Sequence, residues 1–231
     1  MAVEAVIFDW GGTLTPWRTI DPADEWRSLA ARATPDRVDE VTAALMAAAD
    51  RVWARSRDEH RSSTIEEICA LAMIEFDESH LGAYRSFWEH ATYTHDDVPD
   101  LMKWLRDEGI KVGVLSNTVW PRSWHEQIFV RDGLDHLIDG AVYTSEIPWT
   151  KPAPEAFLAA MESVGVADPG SCVFVGDRLF DDIYGARNAG MRAVHVPHSD
   201  IPIEQVGHTI GQPDAVIDRL ADLRDVISAW R

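Results

Sequence analysis

The sequence predicts an α/β protein: a Rossmann-like, doubly wound parallel sheet core with an all-α domain inserted after its first strand. Three observations predict it. Short Val- and Ile-rich runs alternate with helical segments from about residue 98 onward. Residues 20 to 95 show helical periodicity without a strand signal. The apolar runs end at glycine or polar residues, as buried strands of a parallel sheet do.

The elements follow in order. Val3 to Phe8 is a short apolar run that stops at Asp9-Trp10-Gly11-Gly12, and reads as the first strand. Asp21-Pro22 and Thr34-Pro35 each place an N-cap residue before a first-turn proline. The second of these helices carries Val38, Val41, Leu45 and Val52 on one face. Thr64 and Glu67 have capping-box spacing and precede the stripe Ile65, Ile68, Cys69 and Ala72. Leu81, Tyr84 and Trp88 form another stripe. The chain then alternates. Leu101 to Arg106 is a helix ended by Gly109, Lys111 to Leu115 a strand, Ser123 to Val130 a helix and Ala141 to Tyr143 a strand. Pro154 to Val164 is a helix closed by Gly165, and Cys172 to Val175 a strand. Asp181 to Ala189 is a helix closed by Gly190, followed by the strand Ala193 to Val196. A short strand near Ala215 to Ile217 precedes a terminal helix. The expected division is a core of residues 1–17 and 96–231 and a helical domain of residues 18–95.

Composition narrows the function. Of 231 residues, 46% are hydrophobic and 26% charged, the balance of a globular chain. Lys and Arg number 21 against 39 Asp and Glu, for a formal charge of −18. A field of that sign repels nucleic-acid backbones and anionic lipid, so neither is expected as a partner. The two cysteines, Cys69 and Cys172, lie in apolar runs and read as buried, reduced thiols. The first residues show no signal-peptide pattern, and no apolar run approaches membrane-spanning length; a cytoplasmic location is expected.

Ligands of such sheets bind beyond the carboxyl ends of the strands. Asp9 follows the first strand, Ser116-Asn117 follows Lys111 to Leu115, and Gly176-Asp177 follows Cys172 to Val175. Lys151 stands before a helix start in Lys151-Pro152-Ala153-Pro154. Two carboxylates offer hard oxygen ligands to a cation. A lysine and a hydroxyl offer donors to an anion. These residues point to a magnesium-assisted site for a phosphate-like group.

Four stretches, in order, also carry a family resemblance: Phe8-Asp9-Trp10-Gly11-Gly12-Thr13-Leu14, Ser116-Asn117, Lys151-Pro152-Ala153-Pro154-Glu155, and Gly176-Asp177 with Asp182. The chain resembles the haloacid dehalogenase superfamily of hydrolases from residue 3 to about 196, and the helical insert resembles that family's mobile cap. The resemblance implies Asp9 as the nucleophile that forms an aspartyl-phosphate, and Ser116 as donor to the phosphoryl oxygens. It implies Lys151 as the neutralising cation. Mg2+ would be held by Asp9, the carbonyl of Gly11, and Asp177, with Asp182 as ligand or anchor. Trp10, Gly12, Thr13 and Asn117 would contact a small phosphorylated metabolite. The cap would move about hinges near residues 16–20 and 93–98, flanked by Pro16 and Pro99.

One position departs from the family pattern. A second aspartate usually stands two residues after the nucleophile and serves as general acid and base; here the residue is Gly11. Asp24, Glu25, His60 and His95 are candidate substitutes. Family branches that attack 2-haloacids or cleave phosphonates also lack this aspartate. The first usually lacks a carboxylate matching Asp177. The second uses a cap lysine, whereas the lysines here are Lys103, Lys111 and Lys151, all outside the insert. A member that binds a phosphorylated ligand but turns over slowly is the non-enzymatic alternative. Trp10, Trp17, Trp120 and Trp149 lie beside the motifs as candidate pocket walls. The Arg51, Arg55, Arg57 and Arg61 run reads as a solvated helix face, and His195, His198 and His208 as surface residues.

Overall fold

The computed structural model describes residues 2–197, 201 and 207–230; His198 lies outside them. Six strands form one sheet: β1 (Ala5–Phe8), β2 (Lys111–Ser116), β3 (Gly140–Tyr143), β4 (Cys172–Gly176), β5 (Arg192–His195) and β6 (Ala215–Val216). Their order is β3-β2-β1-β4-β5-β6, and every pairing is parallel. β1 is central, with Ile7 in register with Gly113 of β2 and Phe174 of β4.

Residues 18–95 carry four helices: α1 (Pro22–Ala33), α2 (Val38–Glu59), α3 (Ile65–Leu71) and α4 (Glu78–Trp88). The remaining helices are α5 (Val98–Asp107), α6 (Arg122–Arg131), α7 (Pro154–Ser163), α8 (Gly185–Asn188) and α9 (Leu223–Ala229).

The side-chain period of two in β1 explains the layered core. Val6 and Phe8 join a cluster with Leu101, Met102, Leu105, Leu223 and Ile227 of α5 and α9. Ala5 and Ile7 face the opposite way, toward Phe157, Ala160 and Ala186 of α7 and α8. Both faces are covered, so the strands read as unbroken apolar runs. The first cluster extends into the insert through Trp26, Leu45, Ile65, Ile68 and Tyr84.

Local signals in the insert were realised unevenly. The Asp21 carboxylate caps α1 by accepting from the Ala23 amide at 2.8 Å. Thr34 does not cap α2: its hydroxyl donates back to the Ala30 carbonyl at 3.1 Å, Pro35–Arg37 forms a 3₁₀ turn, and α2 starts at Val38. Thr64 accepts from the Glu67 amide at 3.2 Å, but the Glu67 carboxylate pairs with Arg55 at 2.7 Å, so only half of the box forms.

The C-terminal end of β4 also differs from the expected plain helix. Leu179–Tyr184 is a π-helical turn, and only Gly185–Asn188 is α-helical. The wider turn brings the Asp182 carboxylate back to accept from the Arg178 amide at 2.9 Å.

Candidate active site

The carboxyl edge of the sheet gathers residues from four separated stretches. Asp9 continues β1, its amide donating to the Val175 carbonyl at 2.9 Å. Ser116 ends β2, and Asp177 follows β4. Lys151 reaches the same point from the loop before α7. Asp9, Ser116, Lys151, Asp177 and Asp182 are all buried, with Asp182 0% and Lys151 3% exposed.

The Lys151 ammonium stands between two carboxylates, donating to Asp9 Oδ1 at 2.5 Å and to Asp182 Oδ1 at 2.7 Å. Asn117 fixes the lysine from behind. Its carboxamide accepts from the Lys151 amide at 2.8 Å and donates to the Lys151 carbonyl at 3.1 Å. The side chain expected to contact substrate is thus occupied by the main chain of Lys151. Asp182 enters this space because residue 176 is glycine: a Cβ there would stand 2.4 Å from the Asp182 carboxyl carbon.

The charges do not balance. Asp9, Asp177 and Asp182 each offer an oxygen within 4.8 Å of the others, and one ammonium faces them. Burial pushes the Asp9 carboxyl up to about 6, against the pull of Lys151 and with the push of Asp182. Burial also raises Asp182. For Lys151 burial opposes the charge, yet Asp182 and Asp9 outweigh it and hold the ammonium above its ordinary value. Surplus negative charge favours both a retained proton and an added cation. Three hard oxygen donors match a magnesium ion in chemistry. The carbonyl of Gly11 lies on the same loop.

That loop supplies further groups. Gly12 has φ of 94°, in the region glycine favours, while Gly11 lies outside it. A Cβ on Gly11 would meet nothing within 4 Å. Thr13 is fully buried, and its hydroxyl finds no partner among the described residues. The Trp10 indole is 7% exposed, its N–H likewise unpartnered.

Sequence reasoning missed two neighbours. Asp181 is raised by burial, opposed by the charges of Lys151 and Arg178; the Asp181-Asp182 doublet was its only signal. His125 is 0% exposed and stacks on Tyr143 at 4.4 Å, with Trp10 edge-on at 4.6 Å. Nothing in its helix sequence marks that packing.

The candidate acids of the insert are placed differently from one another. Asp24 is exposed. Glu25 accepts from the Tyr84 hydroxyl at 2.6 Å, and the Trp120 indole donates to that hydroxyl at 3.2 Å. The His60 ring lies 6.4 Å from that of Phe180, and the His95 amide donates to the Leu14 carbonyl at 2.9 Å. Trp120 is buried against Trp10 at 5.8 Å, whereas Trp17 and Trp149 lie under Arg178 and Arg61. Of the arginine run, Arg51 is exposed, Arg55 pairs with Glu67, and Arg57 pairs with Asp58. Arg61 stacks on Trp149 at 4.0 Å, so a uniform solvated face is not what this run forms. His195 is half-buried, near the Asp177 carbonyl at 3.0 Å, rather than on the surface; His208 is exposed.

A parallel α/β fold thus carries a buried lysine and three carboxylates at one edge of its sheet. The sequence model of haloacid dehalogenase-like hydrolases matches residues 3–190, and the chain belongs to that family. A glyceraldehyde 3-phosphate phosphatase of Methanopyrus kandleri is 35% identical over 132 residues, 57% of this chain and 55% of that protein. The chain thus spans about half the length of such relatives. A phosphonoacetaldehyde hydrolase of Bordetella pertussis is 24% identical across 98% of this chain and 91% of its own. Among solved structures, a HAD phosphatase from Thermococcus onnurineus superposes with TM-score 0.68 at 26% identity, covering 99% of this chain and all of that one (100%). Among the described residues, no helix is long and apolar enough to cross a membrane.

Proposed function

We propose that the chain is a magnesium-dependent phosphatase that acts on a small phosphorylated metabolite through an aspartyl-phosphate on Asp9. The observation that carries this reading is the Lys151 ammonium held between Asp9 and Asp182, with Asp177 beside them. The relatives named as phosphatases support the substrate class.

In this reading an Asp9 oxygen attacks phosphorus, a P–O bond to Asp9 forms, and the bond to the leaving oxygen breaks. Lys151 holds Asp9 oriented and offsets charge on the phosphoryl group. Ser116 and Thr13 donate to phosphoryl oxygens. Asn117 and Asp182 position Lys151 through its main chain and its ammonium. Asp9, Asp177 and the Gly11 carbonyl would hold a magnesium ion, which would supply electrostatic stabilisation of charge on the phosphoryl oxygens. Water then attacks phosphorus, phosphate leaves, and the Asp9 carboxylate is regenerated.

Gly11 supplies neither a proton to the leaving oxygen nor a base to the water. Such help typically contributes about 10²–10⁴-fold. Substrates with acidic leaving groups are therefore favoured. The phosphonate-cleaving reading needs an amine in the helical insert, and residues 18–95 contain no lysine.

The test is phosphate release from a metabolite panel with and without magnesium, alongside chloride release from a 2-haloacid. Magnesium-dependent phosphate release is the expected result. Chloride release without phosphate release would overturn the reading.

A further inference from the structure

A second cavity, of about 370 Å³, opens where α4 of the insert meets α6 of the core. None of Asp9, Ser116, Lys151 or Asp177 lines it. Its volume lies in the range of small-molecule pockets. Three indoles wall it: Trp88, Trp120 and Trp124, with Trp120 5.6 Å from Trp88 and 5.8 Å from Trp124.

The polar groups of this cavity are mostly donors. Arg85 lies over the Trp124 ring at 5.1 Å and donates to the neutral Gln127 carboxamide. Among the described residues it has no carboxylate partner. Arg131 also lines the cavity, but its donors are taken by Asp132 and by Thr92. Glu89 is the single carboxylate of the lining, and the charge of Arg131 is met by Asp132, so Arg85 is the cation this cavity offers a ligand. Trp124 is 2% exposed, and its indole N–H has no partner among the described residues.

We propose that this cavity binds a small aromatic carboxylate. Its ring would lie among the three indoles, and its carboxylate would take the free guanidinium donors of Arg85 in paired hydrogen bonds. A ligand here touches α4 and α6 together, and so ties the insert to the core. The proposal is independent of the phosphatase reading, since it concerns binding at other residues.

Gly82 offers a clean obstruction. It lines the cavity on α4, and a Cβ there meets nothing within 4 Å, so a larger side chain is accommodated by the helix while entering the mouth.

The experiment is calorimetric titration of the full chain with indole-3-acetate and with its neutral amide. Saturable one-to-one binding of the acid is expected, about tenfold tighter than the amide, the size of one charge-assisted pair. Arg85→Gln should lower the acid to the level of the amide, and Gly82→Leu should abolish both. Asp9→Asn should leave binding unchanged, which separates this cavity from the carboxylate site. Absence of saturable binding, equal binding of acid and amide, or unchanged binding in folded Arg85→Gln would each overturn the proposal.

Discussion

Lys151 donates to Asp9 at 2.5 Å across 142 residues of chain, and both side chains are buried. This contact joins the end of the first strand to the loop before α7. It makes the two groups electrostatically inseparable, because the same ammonium also serves Asp182.

Lys151→Gln should therefore destabilise the fold, by about 3–5 kcal/mol, since it strands buried carboxylates without their cation. Magnesium should raise the melting temperature of both proteins by mass action, and more for the variant. Asp177→Ala should remove the magnesium shift. Thermal melts with and without the ion check all three; a shift that survives Asp177→Ala would place the cation elsewhere.

His125 should make the protein acid-sensitive. Burial, aided by the nearby Arg122 charge, lowers this imidazole to about 3. An unfolded histidine titrates near 6.5. Between those values the unfolded chain holds a proton that the folded chain lacks. Stability should accordingly fall as pH drops through that window, with a slope of up to about 1.4 kcal/mol per pH unit. Denaturant titrations of wild type and His125→Phe check it: the variant should lose that component of the slope.

Gly11→Asp should raise turnover on an alkyl phosphate by about tenfold, below the full range of acid-base help because the surroundings are not built for the carboxylate. The backbone permits it. Gly11 lies outside the positive-φ region and its Cβ position is open, whereas Gly12 carries the φ of 94°. The slope of log rate against leaving-group pKa should be steep in wild type and shallower in the variant. A shallow wild-type slope left unchanged by the substitution would show that another group already supplies the proton.

Much of this centre is legible in the sequence. Asp9, Ser116 and Asp177 were locatable because a parallel sheet delivers ligands at its strand ends, and apolar runs mark those ends. What remained hidden depends on long-range contacts. The Asn117 carboxamide reads as a ligand group until Lys151, 34 residues away, is seen to occupy both of its ends. The π turn at Leu179–Tyr184 has helical periodicity in sequence; what distinguishes it is the bond from the Ile183 amide to the Arg178 carbonyl, five residues back, at 3.2 Å. Thr34 looks like a cap because sequence does not show that its hydroxyl turns back to Ala30.

The insert is also fastened at a place its sequence did not announce. The Ser62 amide donates to the Pro148 carbonyl at 3.2 Å, the Thr150 amide to the His60 carbonyl at 3.0 Å, and the Ile65 amide to the Val119 carbonyl at 2.9 Å. Swinging the insert about residues 16–20 and 93–98 would break these bonds. Hydrogen exchange should show Ser62, Ile65 and Thr150 opening together, and slowing when vanadate is bound. Exchange at these amides that ignores vanadate would count against a moving lid.

The most direct test of the account is chemical trapping of its intermediate. Without a carboxylate at position 11 to activate water, phosphorylated Asp9 should accumulate during turnover. Borohydride added to the working enzyme should reduce that acyl phosphate, and peptide mapping should find homoserine at position 9 only when substrate and magnesium are present. Phosphate release with residue 9 always recovered as aspartate, or homoserine found at another carboxylate, would contradict the assignment of Asp9 as nucleophile.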